Sequence, residues 1–134
     1  MAKKVNCIML IDDNPDDNFF HKRVINKSEC ANQVIVFQSG QEALDYMKTH
    51  EQKNQVSPDL VFLDINMPGM TGWEFLEEYD KTTPSSSHHM VLIILTTSNN
   101  PDDINRTRST TRASEHHTKP LTKEMLSDII DKYF

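Results

Sequence analysis

Apolar residues are concentrated in three runs, and each run ends at a polar or charged side chain. The runs are Cys7–Ile11, Leu60–Leu63 and Val91–Leu95. Strands that are apolar along their whole length are typical of parallel sheets, whose two faces are both covered by helices. The pattern therefore predicts a buried parallel sheet that contains these three runs as strands.

Strand and helix patterns alternate along the whole chain. We predict strands over Val5–Ile11, Gln33–Phe37, Asp59–Asp64, Met90–Leu95 and His116–Thr118. We predict helices that begin near Asn14, Ser39, Thr71, Asn100 and Thr122, with connections over residues 50–58 and 81–89. Five strands that alternate with five helices imply right-handed crossovers and a doubly wound α/β sheet.

The first helix has a start signal and a predicted buried side. Asn14 can cap the free amide donors of a helix, and Pro15 is tolerated at the first helical position. We expect Phe20, Val24 and Ile25 to form the apolar stripe that packs on the sheet.

Length and composition place the chain among soluble globular proteins. Its 134 residues, 37% apolar and 25% charged, fit one domain over residues 1–134. The net charge of −6 argues against a nucleic-acid surface. Cys7 lies in an apolar run and Cys30 in a polar stretch, and we expect two free thiols rather than a disulfide framework. We find no signal peptide and no apolar run of membrane-spanning length, and we expect a cytoplasmic protein.

Three carboxylates follow two of the predicted strands. Asp12 and Asp13 end the first strand, and Asp64 ends the third. Ligands of doubly wound sheets bind outside the carboxyl ends of the strands. Carboxylates are oxygen ligands that suit Mg²⁺, and without a cation they would repel one another. Asp12 and Asp13 alone would be equally well explained as a helix cap, but Asp64 on a neighbouring strand favours a metal site.

The same strand ends carry the groups that phosphoryl transfer needs. A carboxylate can act as a nucleophile toward phosphorus, and Asp64 is the candidate because a turn follows it. Lys119 is the candidate cation and Thr96 the candidate hydroxyl donor to a phosphoryl oxygen. Each residue alone fits an ordinary surface or strand-end role, so the prediction depends on their order along the chain.

This order resembles the receiver domains of response regulators in bacterial two-component signalling, the CheY-like group. The resemblance covers the chain from Val5 to about Tyr133 and depends on four segments, Ile8–Asn14, Asp64–Gly72, Ile94–Ser98 and Lys119–Pro120. It implies a flavodoxin-like five-stranded parallel sheet of order 2-1-3-4-5, flanked by five helices. The chain is then expected to be a stand-alone, single-domain receiver.

The resemblance also implies a phosphoacceptor and a metal site. Asp64 would take a phosphoryl group from a phosphohistidine on a sensor histidine kinase or a histidine phosphotransfer protein. Mg²⁺ would be held by Asp12, Asp13, Asp64 and the backbone carbonyl of Asn66. Such a protein is a signalling switch rather than an enzyme, since it catalyses only its own phosphorylation and dephosphorylation.

The resemblance implies that two further residues bind the phosphoryl group. It implies that a third residue changes conformation when the group is bound. Thr96 would rotate toward the group and Lys119 would pair with it, which vacates space beside the fifth strand. His116 stands where the family often has an aromatic residue. In order of preference, its ring would rotate inward, add pH sensitivity or point to water. Thr97 and Asn66 occupy positions that tend to tune dephosphorylation.

The implied surface for a downstream protein partner consists of the fourth helix, the fifth strand and the fifth helix. Arg106, Arg108 and Arg112 would give this surface ionic docking groups. We expect neither nucleic acid nor membrane as a partner, and a homodimer is left open. The histidine pairs His88–His89 and His116–His117 are expected to be exposed, because adjacent strand residues point to opposite faces and rarely chelate one ion.

Three alternatives were weighed against this function. A magnesium-dependent phosphatase with an aspartate nucleophile usually has a second acid two residues later, where this chain has Asn66. A flavin-nucleotide module would need a phosphate-binding loop after the first strand, and the acidic stretch Asp12–Pro15 would repel phosphate. A phosphorelay intermediate that passes its phosphoryl group to another histidine stays open.

Overall fold

The polypeptide alternates between strand and helix five times in the computed structural model. The strands are β1 Val5–Ile11, β2 Ala31–Phe37, β3 Leu60–Leu63, β4 Val91–Thr96 and β5 Glu115–Thr118. The helices are α1 Pro15–Ser28, α2 Gly40–Thr49, α3 Gly72–Thr82, α4 Pro101–Ser109 and α5 Lys123–Tyr133. The structure describes residues 5–49, 57–82, 90–97, 100–109 and 113–134.

All five strands pair in parallel in the order β2-β1-β3-β4-β5, which confirms the predicted doubly wound sheet. The predicted strands differ from the observed ones by at most two residues at either end. Residues 81 and 82, predicted to start a connection, belong to the last turn of α3. None of the described helices has the length and apolar character that crossing a lipid bilayer requires.

Side-chain caps fix where the helices begin. The Asn14 side chain accepts hydrogen bonds from two backbone amides in the first turn of α1, at 2.9 and 3.2 Å. Thr122 caps α5 in the same way, through the amide of Met125 at 3.1 Å. At α3, Thr71 and Glu74 satisfy each other's backbone amides at 3.0 and 3.2 Å, a reciprocal capping box. These helix starts all lie just beyond the carboxyl ends of the strands.

Alternate residues of the central strands supply two apolar cores, one on each face of the sheet. On one face, Leu10, Phe62 and Ile93 pack with residues of α1 and α5. On the other face, Ile11 and Leu63 pack with residues of α2 and α3. Because both cores are buried, the register of β1, β3 and β4 is strongly specified.

One burial prediction is wrong. Phe20 is 48% exposed, because the face of α1 that meets the sheet consists of Asn18, His21 and Ile25, and Phe20 lies on the other side of the helix. Cys30, placed by the sequence in a polar stretch, is buried against the core formed by α1 and α5. Cys7 is also buried, and both cysteines are free thiols, as expected.

Strand pairing brings the predicted site residues to one edge of the sheet. Ile11 and Leu63 are paired across β1 and β3, so the next residues, Asp12 and Asp64, follow side by side. The Asp64 amide donates to the Ile11 carbonyl at 3.0 Å, which continues the pairing past the strand ends. On the other side of β3, the amide of Lys119 donates to the carbonyl of Thr96 at 2.8 Å.

Candidate functional site

Three carboxylates form one acidic group at this edge. Oxygen atoms of Asp12, Asp13 and Asp64 all lie within 4.8 Å of one another. Asp12 is 4% exposed and Asp64 is 6% exposed, whereas Asp13 is partly exposed. Two of the three acids are therefore largely removed from water, and the third faces the opening of the site.

The two buried carboxylates are oriented by backbone amides. Asp12 Oδ1 accepts from the amide of Asn14 at 3.0 Å, and Asp64 Oδ1 accepts from the amide of Asn66 at 3.0 Å. Their Oδ2 atoms both face the ammonium of Lys119, at 2.6 Å from Asp12 and 3.2 Å from Asp64. Each acid thus has one oxygen fixed by its own turn and one directed into the shared site.

Lys119 is the cation of the site, and a third carboxylate also contacts it. Its Nζ lies 2.8 Å from Oδ2 of Asp17, which belongs to the first turn of α1. Burial by itself would lower the pKa of Lys119. The hydrogen bonds to Asp12 and Asp17 and the charge of Asp64 outweigh that effect and hold the pKa above its ordinary value. Lys119 is therefore charged throughout the physiological pH range.

The acidic group has the chemistry of a site for a divalent cation. Burial raises the pKa of Asp12, and Lys119 and the Asn14 amide offset this only in part. The charged form of Asp12 is thus less favourable here than in water despite the ammonium, and a divalent cation beside it would stabilise that form. Hard carboxylate oxygens are the donors that Mg²⁺ and Mn²⁺ accept. The residues present therefore fit a metal ion of this class.

Thr96 lies near the acidic group, at the end of β4. Its side chain is fully buried, and its Oγ1 accepts a hydrogen bond from Nδ2 of Asn66 at 3.3 Å. Asn66 therefore has two contacts at the site, because its amide also binds Asp64. Thr97, which follows Thr96, is exposed.

Three residues of α1 at the site were missed by the sequence predictions. Asp17 contacts Lys119, while Asn18 Nδ2 donates to the Asp12 carbonyl at 2.7 Å. Asn18 Oδ1 is buried without a hydrogen-bond partner among the described residues. Burial, and then the charge of Lys119, lower the pKa of His21, the third residue. These three residues follow closely after β1, and their spacing places them on one side of a helix. That pattern could have predicted their position at the site.

A small cavity lies beside Asn18 and His21 of α1 and the two buried acids. It has a volume of about 10 Å³, and its polar lining residues are Asp12, Asn18, His21 and Asp64. This volume suffices for about one water molecule. The unpartnered Asn18 oxygen gives such a water an acceptor.

His116 faces α4 across a groove of about 430 Å³. Its Nδ1 lies 3.2 Å from Oγ1 of Thr107, a buried residue of α4. The Thr107 hydroxyl donates its proton to the Asp103 carbonyl at 3.0 Å. His116 Nδ1 is therefore the donor in this contact, and the ring connects β5 to α4.

Of the three arginines predicted for the docking surface, the structure describes the side chain of Arg106. The guanidinium of Arg106 lies 4.7 Å from the centre of the Trp73 ring and 3.9 Å from the Glu77 carboxylate. Both partners belong to α3, so Arg106 is directed away from β5 and α5. The side chain of Arg108, as well as Arg112, His88 and His89, lies outside the described residues.

Comparisons with known proteins agree with this fold and site. The family model of the response regulator receiver domain matches residues 8–131. The chain therefore belongs to the response regulator receiver domain family, as its sequence motifs suggested. Its acidic pocket is consistent with the phosphoacceptor role of two-component response regulators, and the phosphatase and phosphorelay-intermediate alternatives are not favoured.

Three similar proteins illustrate the relationship. The two-component response regulator ORR1 of Oryza sativa subsp. japonica is 29% identical over 85 residues, which cover 62% of this chain and 37% of that protein. A two-component response regulator from Cytophaga hutchinsonii has a solved structure with a TM-score of 0.87 and 25% identity, covering 98% of both chains. The Mn²⁺-bound form of the response regulator Rcp1 has a TM-score of 0.73 and 24% identity, covering 96% of this chain and 91% of that one. The chain thus spans little more than a third of the length of the rice relative.

Proposed function

We propose that this protein is a phosphoacceptor response regulator and that Asp64 is the residue it phosphorylates. The donor is a phosphohistidine on a sensor histidine kinase or a histidine phosphotransfer protein. A carboxylate oxygen of Asp64 forms a new P–O bond while the P–N bond to the imidazole breaks, and the imidazole leaves with the bonding electron pair. The protein then acts as a switch that promotes only its own phosphorylation and dephosphorylation.

One observation supports this proposal above the others. The ammonium of Lys119 lies 3.2 Å from Asp64 within a group of carboxylates that also lie close together. Attack on a phosphoryl group brings two anions together, so a fixed cation beside the nucleophile lowers the barrier. Lys119 is largely buried and its ammonium already faces Asp64, so the cation is in position before the donor arrives.

The proposed metal is Mg²⁺, held by Asp12, Asp13, Asp64 and the backbone carbonyl of Asn66. When bound, Mg²⁺ neutralises charge on the phosphoryl oxygens. The chain's own contribution is to fix the ligands, since backbone amides orient the Asp12 and Asp64 carboxylates. Rcp1, which shares the fold, has been solved with Mn²⁺, another divalent cation that accepts carboxylate oxygens.

Phosphorylation is read out through Thr96 and His116 in this proposal. A phosphoryl group on Asp64 adds roughly −1.5 to −2 charges and three acceptor oxygens, and the Thr96 hydroxyl turns from Asn66 to donate to one of them. The His116 ring then leaves Thr107, which loosens α4 from β5. The downstream partner binds the surface of α4, β5 and α5, whose shape changes with this contact.

The remaining parts of the proposal concern the whole protein. Residues 1–134 form one receiver domain that acts in the cytoplasm by binding a downstream protein. A homodimer is compatible with this role.

Mass analysis after incubation with Mg²⁺ and a small phosphodonor tests the phosphoacceptor. We expect one phosphoryl group on the wild-type protein, none on Asp64→Asn, and none on the wild type when the metal is chelated. Asp45→Asn, a matched change at an exposed position of α2, is expected to be phosphorylated normally. Phosphorylation that persists in Asp64→Asn would show that the acceptor is a different residue.

A further inference from the structure

Asp17 contacts the reactive cation from outside the predicted acidic group. The Lys119 ammonium has three N–H donors, and three carboxylates lie within reach, those of Asp12, Asp17 and Asp64. The ammonium is therefore surrounded by three carboxylates before any phosphoryl group arrives. A phosphoryl oxygen on Asp64 must compete with these carboxylates for Lys119.

Between the contacts with Asp12 and Asp17, the two acids that are not phosphorylated, exposure decides which is given up more easily. The side chain of Asp12 is 6% exposed, whereas that of Asp17 is 36% exposed. Water screens the Asp17 contact and can solvate the released carboxylate, so breaking it is less costly than breaking the buried contact. The Asp12 contact is also the shorter one, at 2.6 Å against 2.8 Å.

We propose that Asp17 is a positioning residue for Lys119, which holds the ammonium toward α1 and yields it when Asp64 accepts a phosphoryl group. This inference rests on the proposed function of Asp64. Asp17 touches neither the donor nor the phosphoryl group and acts only through Lys119. Its carboxylate competes with the phosphoryl oxygens for the same proton donor, and it therefore sets how readily the site accepts the group.

The test compares Asp17→Asn with Asp16→Asn. Both substitutions remove one negative charge from the first turn of α1 and preserve the shape of the side chain, but Asp16 is exposed. The first readout is the rate at which the Lys119 amine is reductively methylated in the metal-free protein, measured by mass analysis of its peptide. The second is the rate of phosphorylation by a small phosphodonor with Mg²⁺.

We expect Asp17→Asn to raise both rates by about two- to fivefold, the range that corresponds to one partly exposed ion pair. Methylation accelerates because the amine that Asp17 no longer contacts is more accessible to the reagent. Phosphorylation accelerates because the ammonium is free to meet the phosphoryl group. Asp16→Asn is expected to change each rate by less than twofold, through its weaker long-range field.

Each contrary result has a distinct meaning. Methylation of Lys119 at the wild-type rate in Asp17→Asn would overturn the proposal, since the ammonium would then not be held by Asp17. Faster methylation with a phosphorylation rate equal to that of Asp16→Asn would also overturn it, because the contact would have no consequence for the reaction. Absence of phosphorylation on wild-type Asp64 would refute the proposed function, and with it the release of Lys119 by Asp17. The methylation rate would still show whether Asp17 holds the ammonium.

Discussion

Gly72, the first residue of α3, stands where a side chain would collide with the backbone that carries Asp64, the proposed phosphoacceptor. A Cβ built on Gly72 would lie 2.7 Å from Cα of Ile65 and 2.8 Å from the carbonyl oxygen of Asp64. Carbon atoms normally pack at about 3.5–4.0 Å. In Gly72→Ala, either the first turn of α3 or the turn after β3 must therefore move by about 1 Å.

This displacement is expected to affect both stability and reactivity. Overpacking of this kind costs about 1–3 kcal/mol of unfolding free energy, because rigid backbone atoms rather than flexible side chains must shift. A displacement of about 1 Å at a reacting group can slow a reaction by up to about 100-fold. We therefore expect Gly72→Ala to unfold at lower urea concentration and to phosphorylate at least about tenfold more slowly.

The other two glycines provide matched controls. A Cβ on Gly40 would lie 2.9 Å from Sδ of Met70, a flexible side-chain end that can rotate away. Gly69 has a φ of 78° with open space around it, so Gly69→Ala adds backbone strain of roughly 1–2 kcal/mol without crowding. We expect Gly40→Ala to be close to wild type in both assays and Gly69→Ala to lose stability while retaining its phosphorylation rate.

Two results of urea unfolding would refute this expectation: a Gly72→Ala protein as stable as the wild type, or equal destabilisation of Gly40→Ala and Gly72→Ala. The first result would mean that α3 can retreat from β3 without loss. The second would mean that backbone and side-chain neighbours accommodate a methyl group equally well, contrary to their difference in rigidity.

Three further predictions concern stability and are all measured by urea unfolding. Burial alone raises the pKa of Glu115, but hydrogen bonds from Lys132, Tyr133 and a neighbouring histidine lower it to about 2. Glu115→Gln should therefore lower the unfolding free energy by about 1 kcal/mol at pH 7. This difference from the wild type should shrink as the pH falls from 4.5 toward 2. A difference that does not depend on pH would contradict the prediction. Burial lowers the pKa of His21, so below about pH 6.5 the imidazole binds a proton in the unfolded chain more readily than in the folded one. Between pH 7 and pH 5 the unfolding free energy of the wild type should therefore fall more steeply than that of His21→Leu. Parallel plots of unfolding free energy against pH would refute this. Ile25 is buried and Phe20 is largely exposed, so Ile25→Ala should lower the unfolding free energy by about 2–5 kcal/mol and Phe20→Ala by less than about 0.5 kcal/mol. Similar losses in the two variants would mean that Phe20 is part of the core.

Local sequence patterns were sufficient for the elements of the fold. The fully apolar runs correspond to β1, β3 and β4. A strand that is apolar on both faces is buried when helices cover both sides of the sheet, so these runs indicated a parallel sheet. Asn14 and Thr122 marked helix starts because their side chains satisfy amides within the next turn. These interactions span only a few residues, so the sequence order alone carries them.

Interactions between side chains on different elements were predicted less well. The apolar stripe assigned to α1 included Phe20, whereas the structure buries the polar Asn18 and His21 on that face. Hydrophobicity favours Phe20, but the face of α1 is set by where the helix meets the acidic edge of the sheet. Likewise, Arg106 was assigned to a docking surface, and its position over Trp73 depends on how α3 and α4 lie relative to each other.

The sequence by itself determined which chemical groups this protein would place at the ends of its strands: acids after β1 and β3, a hydroxyl at the end of β4 and a lysine after β5. Only the tertiary structure decided their distances and partners. Pairing of Ile11 with Leu63 places Asp12 beside Asp64, residues that are far apart in the chain. The approach of α1 to this edge adds Asp17 to the cation's contacts. Register and helix docking are cooperative properties of both cores, and no local pattern encodes the ångström-scale distances on which the charge balance of the site depends.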